Sequence, residues 1–297
     1  MDDSNMDSEE LPIGRRKTDY EKIKTPVHSF CILGDERVFK AKSATMFTAV
    51  MRNAYLEGAY VPYQVHPRHL GEAMKALNIL NMAGANVTSP YKESAIPWMD
   101  ELSEAAQIIG SINTIVIKKD QRKGYNTNAI GITQAFKSVG FNPANKPALV
   151  FGTGGAARAV VFVLKWFKAD PIFVVGRDHA KAQRLVKKLG GEAIALEDLN
   201  QVANKVNLIF NTTSVSTFEE GEELAGFVQN LTPTNCDLVF DLNYHKPNNI
   251  WQNLAQKHDF DFRDGLITLA HQGSQTLALW TGTTIAPKEF LLALSST

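Results

Sequence analysis

The stretch Ala148-Leu-Val-Phe-Gly-Thr-Gly-Gly-Ala-Ala-Arg158 decides the reading of this chain. Residues 148–151 are apolar and short enough for a buried strand. A turn of the form Gly152-x-Gly154-x-x-Ala157 follows, and behind it Ala159-Val-Val-Phe-Val-Leu-Lys-Trp-Phe is apolar enough for a helix packed on a sheet. In such a strand–turn–helix unit the first glycine permits the tight turn and the second lets a pyrophosphate approach the backbone. The small residue at 157 lets helix and strand pack closely, with the helix N-terminus facing the anion. Gly152, Gly154, Gly155 and Ala156 are therefore candidate cofactor-binding residues. A purely structural turn is the plainer alternative for a bare glycine pattern, but here the flanks match as well.

A chain of 297 residues is long for one core and predicts two domains. Lysine and arginine number 31, as do aspartate and glutamate, so no global field recruits nucleic acid or an acidic membrane. Cys31 and Cys236 stand far apart with no CxxC, which implies neither a metal site nor a disulfide framework. No apolar run reaches the ~18 residues of a spanning helix, and the acidic N-terminus is unlike a signal peptide. The expectation is a soluble cytoplasmic protein, monomer or homodimer, that takes a small-molecule substrate.

Residues 1–24 are polar, charged and without apolar periodicity, which reads as a flexible leader. Strands are predicted over His28–Gly34, Tyr60–Val65 and Ala85–Thr88. Helices are predicted from Ser43 to Glu57, from His69 to Leu80 and from Lys92 to Leu102. This alternation predicts an open α/β sheet. Beyond the glycine turn, Ile172–Val175, the run from Asn207 and Leu238–Asp241 read as buried strands. Residues 179–189 read as a basic solvated helix, Phe218–Gly226 as an acidic surface loop and Leu269–Leu279 as a helix. An acidic residue at the end of the second nucleotide strand would hold a ribose hydroxyl and favour NAD. Arg177 stands there instead, with Lys181 one turn later, a phosphate clamp that favours NADP. Asp178 has the more ordinary reading of a helix N-cap. Asn211 and Thr212, at a strand end, are further cofactor candidates.

Three motifs, Asn86-Val-Thr-Ser-Pro-Tyr-Lys92-Glu, Ile109-Gly-Ser-Ile-Asn113-Thr and Gly124-Tyr-Asn-Thr-Asn128-x-x-Gly131, resemble the shikimate dehydrogenase family in order and spacing. Asp241-Leu-Asn-Tyr244 and Gly265-Leu…His271-Gln272-Gly273…Leu279-Trp-Thr-Gly282 are similar to its closing motifs, and the resemblance covers residues 27–297. It implies a discontinuous substrate domain (25–127 and 268–297), an NADP-binding Rossmann-type domain (128–267) and a site in the cleft between them. It also implies Lys92 as the proton-transfer residue, with Thr88, Asn113, Tyr244 and Gln272 on substrate hydroxyls or carboxylate and Gly265 on the cofactor side. The chemistry agrees. A hydride moving between a nicotinamide and a carbonyl requires a proton to travel with the oxygen, and a lysine brought toward neutrality by burial both donates and accepts. A solvated lysine at a helix start is the alternative, and the helix dipole disfavours it.

Two departures stand out. At Asn128 the family carries an aspartate paired with the lysine, so Lys92 lacks a stabilising charge here and its pKa is expected to be lower. That makes the protein slow, or its substrate different, or the Asn a substitution that traps a complex. The family's two carboxylate-holding serines fall, counting from Gly34, on Lys40 and Lys42. Two lysines facing a pocket would hold a more anionic substrate, and in the bland reading both point to water. Smaller departures are Gly176 and Asp178 around Arg177, and His245–Asn249 after Tyr244. Beside an NADP-dependent oxidoreductase acting on shikimate or a near relative, two alternatives remain. One is a paralogue for a more anionic substrate, the other a cofactor-binding sensor without turnover.

Overall fold

A computed structural model describes residues 28–295, and the leader expected over residues 1–24 lies outside them. Among the described residues the strands form two six-stranded sheets. The first half runs β1 (His28–Gly34), α1 (Ser43–Asn53), β2 (Gly58–Gln64), α2 (Leu70–Ile79), β3 (Gly84–Val87), β4 (Glu101–Leu102), α3 (Glu104–Ile109), β5 (Thr114–Lys118) and β6 (Gln121–Tyr125). Its strand order is β2-β1-β3-β5-β6-β4. In β1 the alternation of a strand splits the apolar run between two cores. Phe30 and Ile32 join Met46, Phe47 and Trp280 on one face, and Cys31 and Leu33 join Met74, Leu77 and Ile112 on the other.

β1 pairs in parallel with β2 and β3, whereas β5 is antiparallel to both β3 and β6. The reversal brings the end of β3, the start of β5 and the end of β6 to one edge of the sheet. Asn86 lies opposite Thr114, and Thr114 opposite Tyr125. The motifs around Lys92, Asn113 and Asn128 follow or precede these strand ends, so the topology gathers them.

α4 (Thr127–Ser138) carries the chain to the second sheet. There β7 (Ala148–Phe151), α5 (Gly155–Trp166), β8 (Ile172–Val175), α6 (His179–Leu189), β9 (Glu192–Ala193), α7 (Leu199–Ala203), β10 (Leu208–Asn211), α8 (Glu222–Gln229), β11 (Leu238–Asp241), α9 (Ile250–His258) and β12 (Asp261–Arg263) follow. The order β12-β11-β10-β7-β8-β9 is parallel throughout. This is the doubly wound dinucleotide-binding arrangement, whose direction of winding reverses between β7 and β10. α5 buries Ala157, Val160, Val161 and Leu164 against the sheet, as its apolar run requires. α6 buries only Ala182 and Leu185 and leaves its lysines outside. α10 (Leu266–Thr281) and α11 (Pro287–Ser295) return to the first sheet, where Leu277, Trp280 and Phe290 complete its core. α4 and α10 pack along each other between the two halves.

Two expected elements are corrected. No helix spans Lys92–Leu102: Pro97 offers no N–H to a helical ladder, and the segment folds as turns, a 3₁₀ turn (Ile96–Trp98) and then β4. It is pinned from outside, since Ile112 N–H donates to the Lys92 carbonyl at 2.8 Å and Asp100 N–H to that of Arg122 at 2.9 Å. The acidic loop at Phe218–Gly226 is half helical. A 3₁₀ turn (Phe218–Glu220), boxed by Thr217 and Glu220, leads into α8, whose Glu222 and Glu223 suit a positive helix start and whose Ala225 and Val228 are buried. Both cysteines are free and buried, and burial pushes each thiol up to about 12. No helix among the described residues is long and apolar enough to cross a membrane. Nor does any cluster among them offer a metal ligand set.

Candidate active site

At the shared sheet edge Thr88, Lys92, Asn113, Asn128 and Gln272 line one cleft together with Ser43 and Asn86. Asn113 is its hub. Thr127 N–H donates to Asn113 Oδ1 at 2.7 Å, which fixes the amide's orientation. Asn113 Nδ2 then faces Thr127 Oγ1 at 2.9 Å, Asn128 Oδ1 at 3.0 Å and, more loosely, Gln272 Oε1 at 3.4 Å. Asn126 caps α4 through the Ala129 N–H and donates to the Ser111 carbonyl. That cap holds Thr127 and Asn128 in a first turn facing Asn113. Beneath, the hydroxyls of Thr114, Thr127 and Thr276 stand 3.1–3.2 Å from one another, all buried. Tyr60 Oη donates to Asn86 Oδ1 at 2.8 Å, and Asn86 Nδ2 to the Asn113 carbonyl at 2.9 Å. The wall is thus one hydrogen-bonded unit drawn from β2, β3, β5, α4 and α10.

Lys92 brings the one charge in this lining. Its ammonium is desolvated in the cleft, which lowers its pKa from the ordinary lysine value to about 8, and no charged neighbour contributes. An amine at that pKa interconverts between its two forms near neutrality, the requirement for moving a proton in either direction.

Neither Lys40 nor Lys42 lines the cleft, and this corrects the count from Gly34. The segment winds through a 3₁₀ turn (Glu36–Lys40) that leaves Lys40 exposed, and the residue that reaches the wall is Ser43, the first of α1. Lys42 contributes its backbone instead: its N–H donates to the Tyr244 hydroxyl. Tyr244 reaches across from the end of β11 to the start of α1, and burial raises its pKa. His271 is outside the cleft lining; its Nε2 lies 3.4 Å from Ser138 Oγ, and desolvation lowers its pKa.

A second cleft opens at the reversal point of the other sheet, lined by Gly152, Thr153, Gly154, Gly176, Arg177, Lys181, Thr212 and neighbours. Gly152 has φ +115°, and a side chain there would strike Thr212 Oγ1. At Gly154, φ −85°, a Cβ would meet nothing within 4 Å, so open space fronts the uncapped N-terminus of α5. Open space before unpaired N–H groups suits a phosphate-sized anion. Arg177 and Lys181 are exposed on the rim, and Asp178 caps α6 through the Lys181 N–H at 3.0 Å.

Other predicted cofactor residues have structural employment. Asn211 is fully buried and spends its amide on Val215, Asp241 and Thr213, away from the cleft lining. Thr212 lines the cleft while donating to the Phe151 carbonyl at 2.6 Å. Gly265 caps α10, where a Cβ would overlap the Leu242 carbonyl oxygen, so packing demands glycine. Gly155 and Ala156 open α5, but a Cβ at Gly155 would collide with Ser111 Oγ and approach Lys92 Cβ to 3.0 Å. The helix start therefore rests directly on the lysine segment.

Sequence reasoning missed two further features. Arg158, one turn into α5, places Nε 3.0 Å from Glu93 Oε2, an ion pair between the two halves beside Lys92. The buried carboxylate of Asp241 accepts from Asn211, Asn243, Ser216 and Asn249, and burial raises its pKa against those bonds. It ties the β10 and β11 loops to the start of α9.

Known proteins resemble this chain along most of its length. Residues 33–115 match the family model described as the shikimate dehydrogenase substrate binding domain, and residues 134–263 the one described as shikimate / quinate 5-dehydrogenase. A shikimate dehydrogenase (NADP(+)) of Desulforamulus reducens is 35% identical over 252 residues, covering 82% of this chain and 86% of that one. The crystal structure of shikimate dehydrogenase from Aquifex aeolicus aligns with TM-score 0.79 and 28% identity, over 90% of this chain and 97% of that one. That of the Thermus thermophilus enzyme in complex with NADP(H) and shikimate aligns with TM-score 0.79 and 29% identity, over 91% and 99%. With two family models spread along most of its length and a relative above 30% identity, the chain belongs to the shikimate dehydrogenase family.

Proposed function

We propose that this chain is an NADP-dependent oxidoreductase that interconverts a cyclic hydroxy acid and its ketone, shikimate and 3-dehydroshikimate or a near relative, with Lys92 moving the proton. The observation that carries the reading is a lone, desolvated lysine of pKa about 8 in a cleft of neutral amides and hydroxyls, against which the glycine-turn helix is packed. Gly152, Gly154 and the first turn of α5 would hold the pyrophosphate, with Arg177 and Lys181 at the 2′-phosphate. When bound, the dinucleotide supplies or accepts the hydride. Neutral Lys92 takes the hydroxyl proton as the alcohol is oxidised, and its ammonium returns one to the ketone oxygen in reverse. Asn113 and Gln272 hold ring hydroxyls, since amides both donate and accept. Ser43, the uncapped start of α1 and the Tyr244 hydroxyl form a neutral seat for the carboxylate. With Lys40 exposed and Lys42 outside the cleft lining, the neutral wall favours a singly charged acid over a more anionic substrate.

The test is a spectrophotometric assay of the reduced nicotinamide, with NADP⁺ and NAD⁺ each offered against shikimate and quinate. Turnover on shikimate with NADP⁺, lost by ~10²-fold or more in Lys92→Met, supports the reading. Turnover that survives Lys92→Met overturns the role of Lys92. Tight NADPH binding without turnover on either acid overturns the substrate.

A further inference from the structure

The orientation of one side-chain amide reverses the hydrogen-bonding polarity of the cleft at the reacting oxygen. The Thr127 backbone N–H can only donate, so the atom of Asn113 that it meets at 2.7 Å is Oδ1. The other end of Asn113 is then Nδ2, a donor, and the atom of Asn128 that it meets at 3.0 Å must be Oδ1. The one side-chain hydrogen bond of Asn128 among the described residues is the one its Oδ1 accepts, which leaves its NH₂ group without a protein partner on a residue 8% exposed that lines the cleft with Lys92. No flip relieves this, because turning Asn128 would set two NH₂ groups against each other.

From this chain we infer that Asn128 donates to the substrate, and that the site selects the ketone over the alcohol. The inference rests on the proposed substrate class and deepens it. A ketone oxygen accepts through both lone pairs, one for the Lys92 ammonium and one for the Asn128 amide. An alcohol at the same point also brings a proton, and while Lys92 is an ammonium both groups facing it are donors, so that proton finds an acceptor only once Lys92 has given up its own. An unpaired buried donor forfeits much of its binding energy. A carboxylate at residue 128 would keep one oxygen on Asn113 and offer the other to the alcohol's O–H.

Dead-end complexes read this without turnover. Calorimetry at neutral pH gives the Kd of 3-dehydroshikimate for the NADP⁺-loaded protein and of shikimate for the NADPH-loaded protein. Both are repeated in Asn128→Asp. The ratio of the two constants is expected to shift toward the alcohol by about 10- to 100-fold in the variant, the scale of one buried hydrogen bond lost or gained. A ratio unchanged within about threefold overturns the inference while leaving the substrate reading intact. Binding of neither acid to either protein overturns both. Should Asn128→Asp not fold, the infrared carbonyl stretch of the ketone bound to the unaltered protein decides. Two donors place it below its position in water, and a stretch at or above that position overturns the assignment.

Discussion

Replacing Asn128 with aspartate puts a carboxylate into the wall that Lys92 shares. With Asn128 in place the lysine sits at about 8 through desolvation alone, with no counter-charge to lift it. Two unit charges ~5 Å apart at an effective dielectric of ~20 attract by ~3 kcal/mol. At 1.36 kcal/mol per pKa unit this is roughly 2 units, inside the ~1–3 seen for paired groups. The sign follows from the proton's direction. In the proposed reaction alcohol oxidation needs neutral Lys92, so kcat/KM rises with pH through the lysine's pKa; ketone reduction needs the ammonium and falls through the same point. Initial rates from pH 6 to about 11, in both directions, should place both limbs near 8 in the unaltered protein and near ~10 in Asn128→Asp. A midpoint that stays put, or moves down, would show that desolvation of Lys92 without a partner is not what sets the pH dependence.

Further outcomes are expected elsewhere. Arg177→Gln should raise KM for NADP⁺ by about 10- to 100-fold while KM for NAD⁺ stays within about threefold, as befits loss of one charge-assisted contact to the 2′-phosphate. Gly155→Ala, whose Cβ meets Ser111 and Lys92, should lower unfolding stability by ~1–3 kcal/mol in urea. Gly154→Ala has open space and ordinary φ, so it should unfold like the natural protein yet bind NADPH more weakly. Glu93 of the Arg158–Glu93 pair is 43% exposed and water screens the pair from that side, so a double-mutant cycle on stability should give a coupling of only ~0.2–1 kcal/mol. Swapping the two charges should nonetheless recover most of the kcat lost by either single charge reversal, and no recovery would deny that the pair holds the halves together.

The parts of this molecule legible in the sequence are those encoded locally. The glycine turn, the apolar strands at 148–151, 172–175 and 238–241 and the Asp178 cap stand where short-range patterns put them. Lys92, Asn113, Asn128 and Gln272 come together because their motifs abut strand ends that the antiparallel β5 turns to one edge. What was illegible depends on winding or distance. A single 3₁₀ turn decides that Ser43 rather than a lysine reaches the wall, and counting along the chain does not see it. The contact of Arg158 with Glu93 joins residues from different halves, and no spacing announces it. Thr276 could have been found: it lies four residues after Gln272, on the same face of one helix.

The pairing of α4 with α10 has a mechanical meaning. The chain crosses between its halves along these two helices, which pack on each other more extensively than any other helix pair. Away from that helix pair the halves also touch through Gly155 on Lys92, Arg158 on Glu93 and Tyr244 on the Lys42 amide. The helix start behind the glycine turn is thus also the surface that covers the lysine segment, so the desolvation of Lys92 depends on how the two halves are seated.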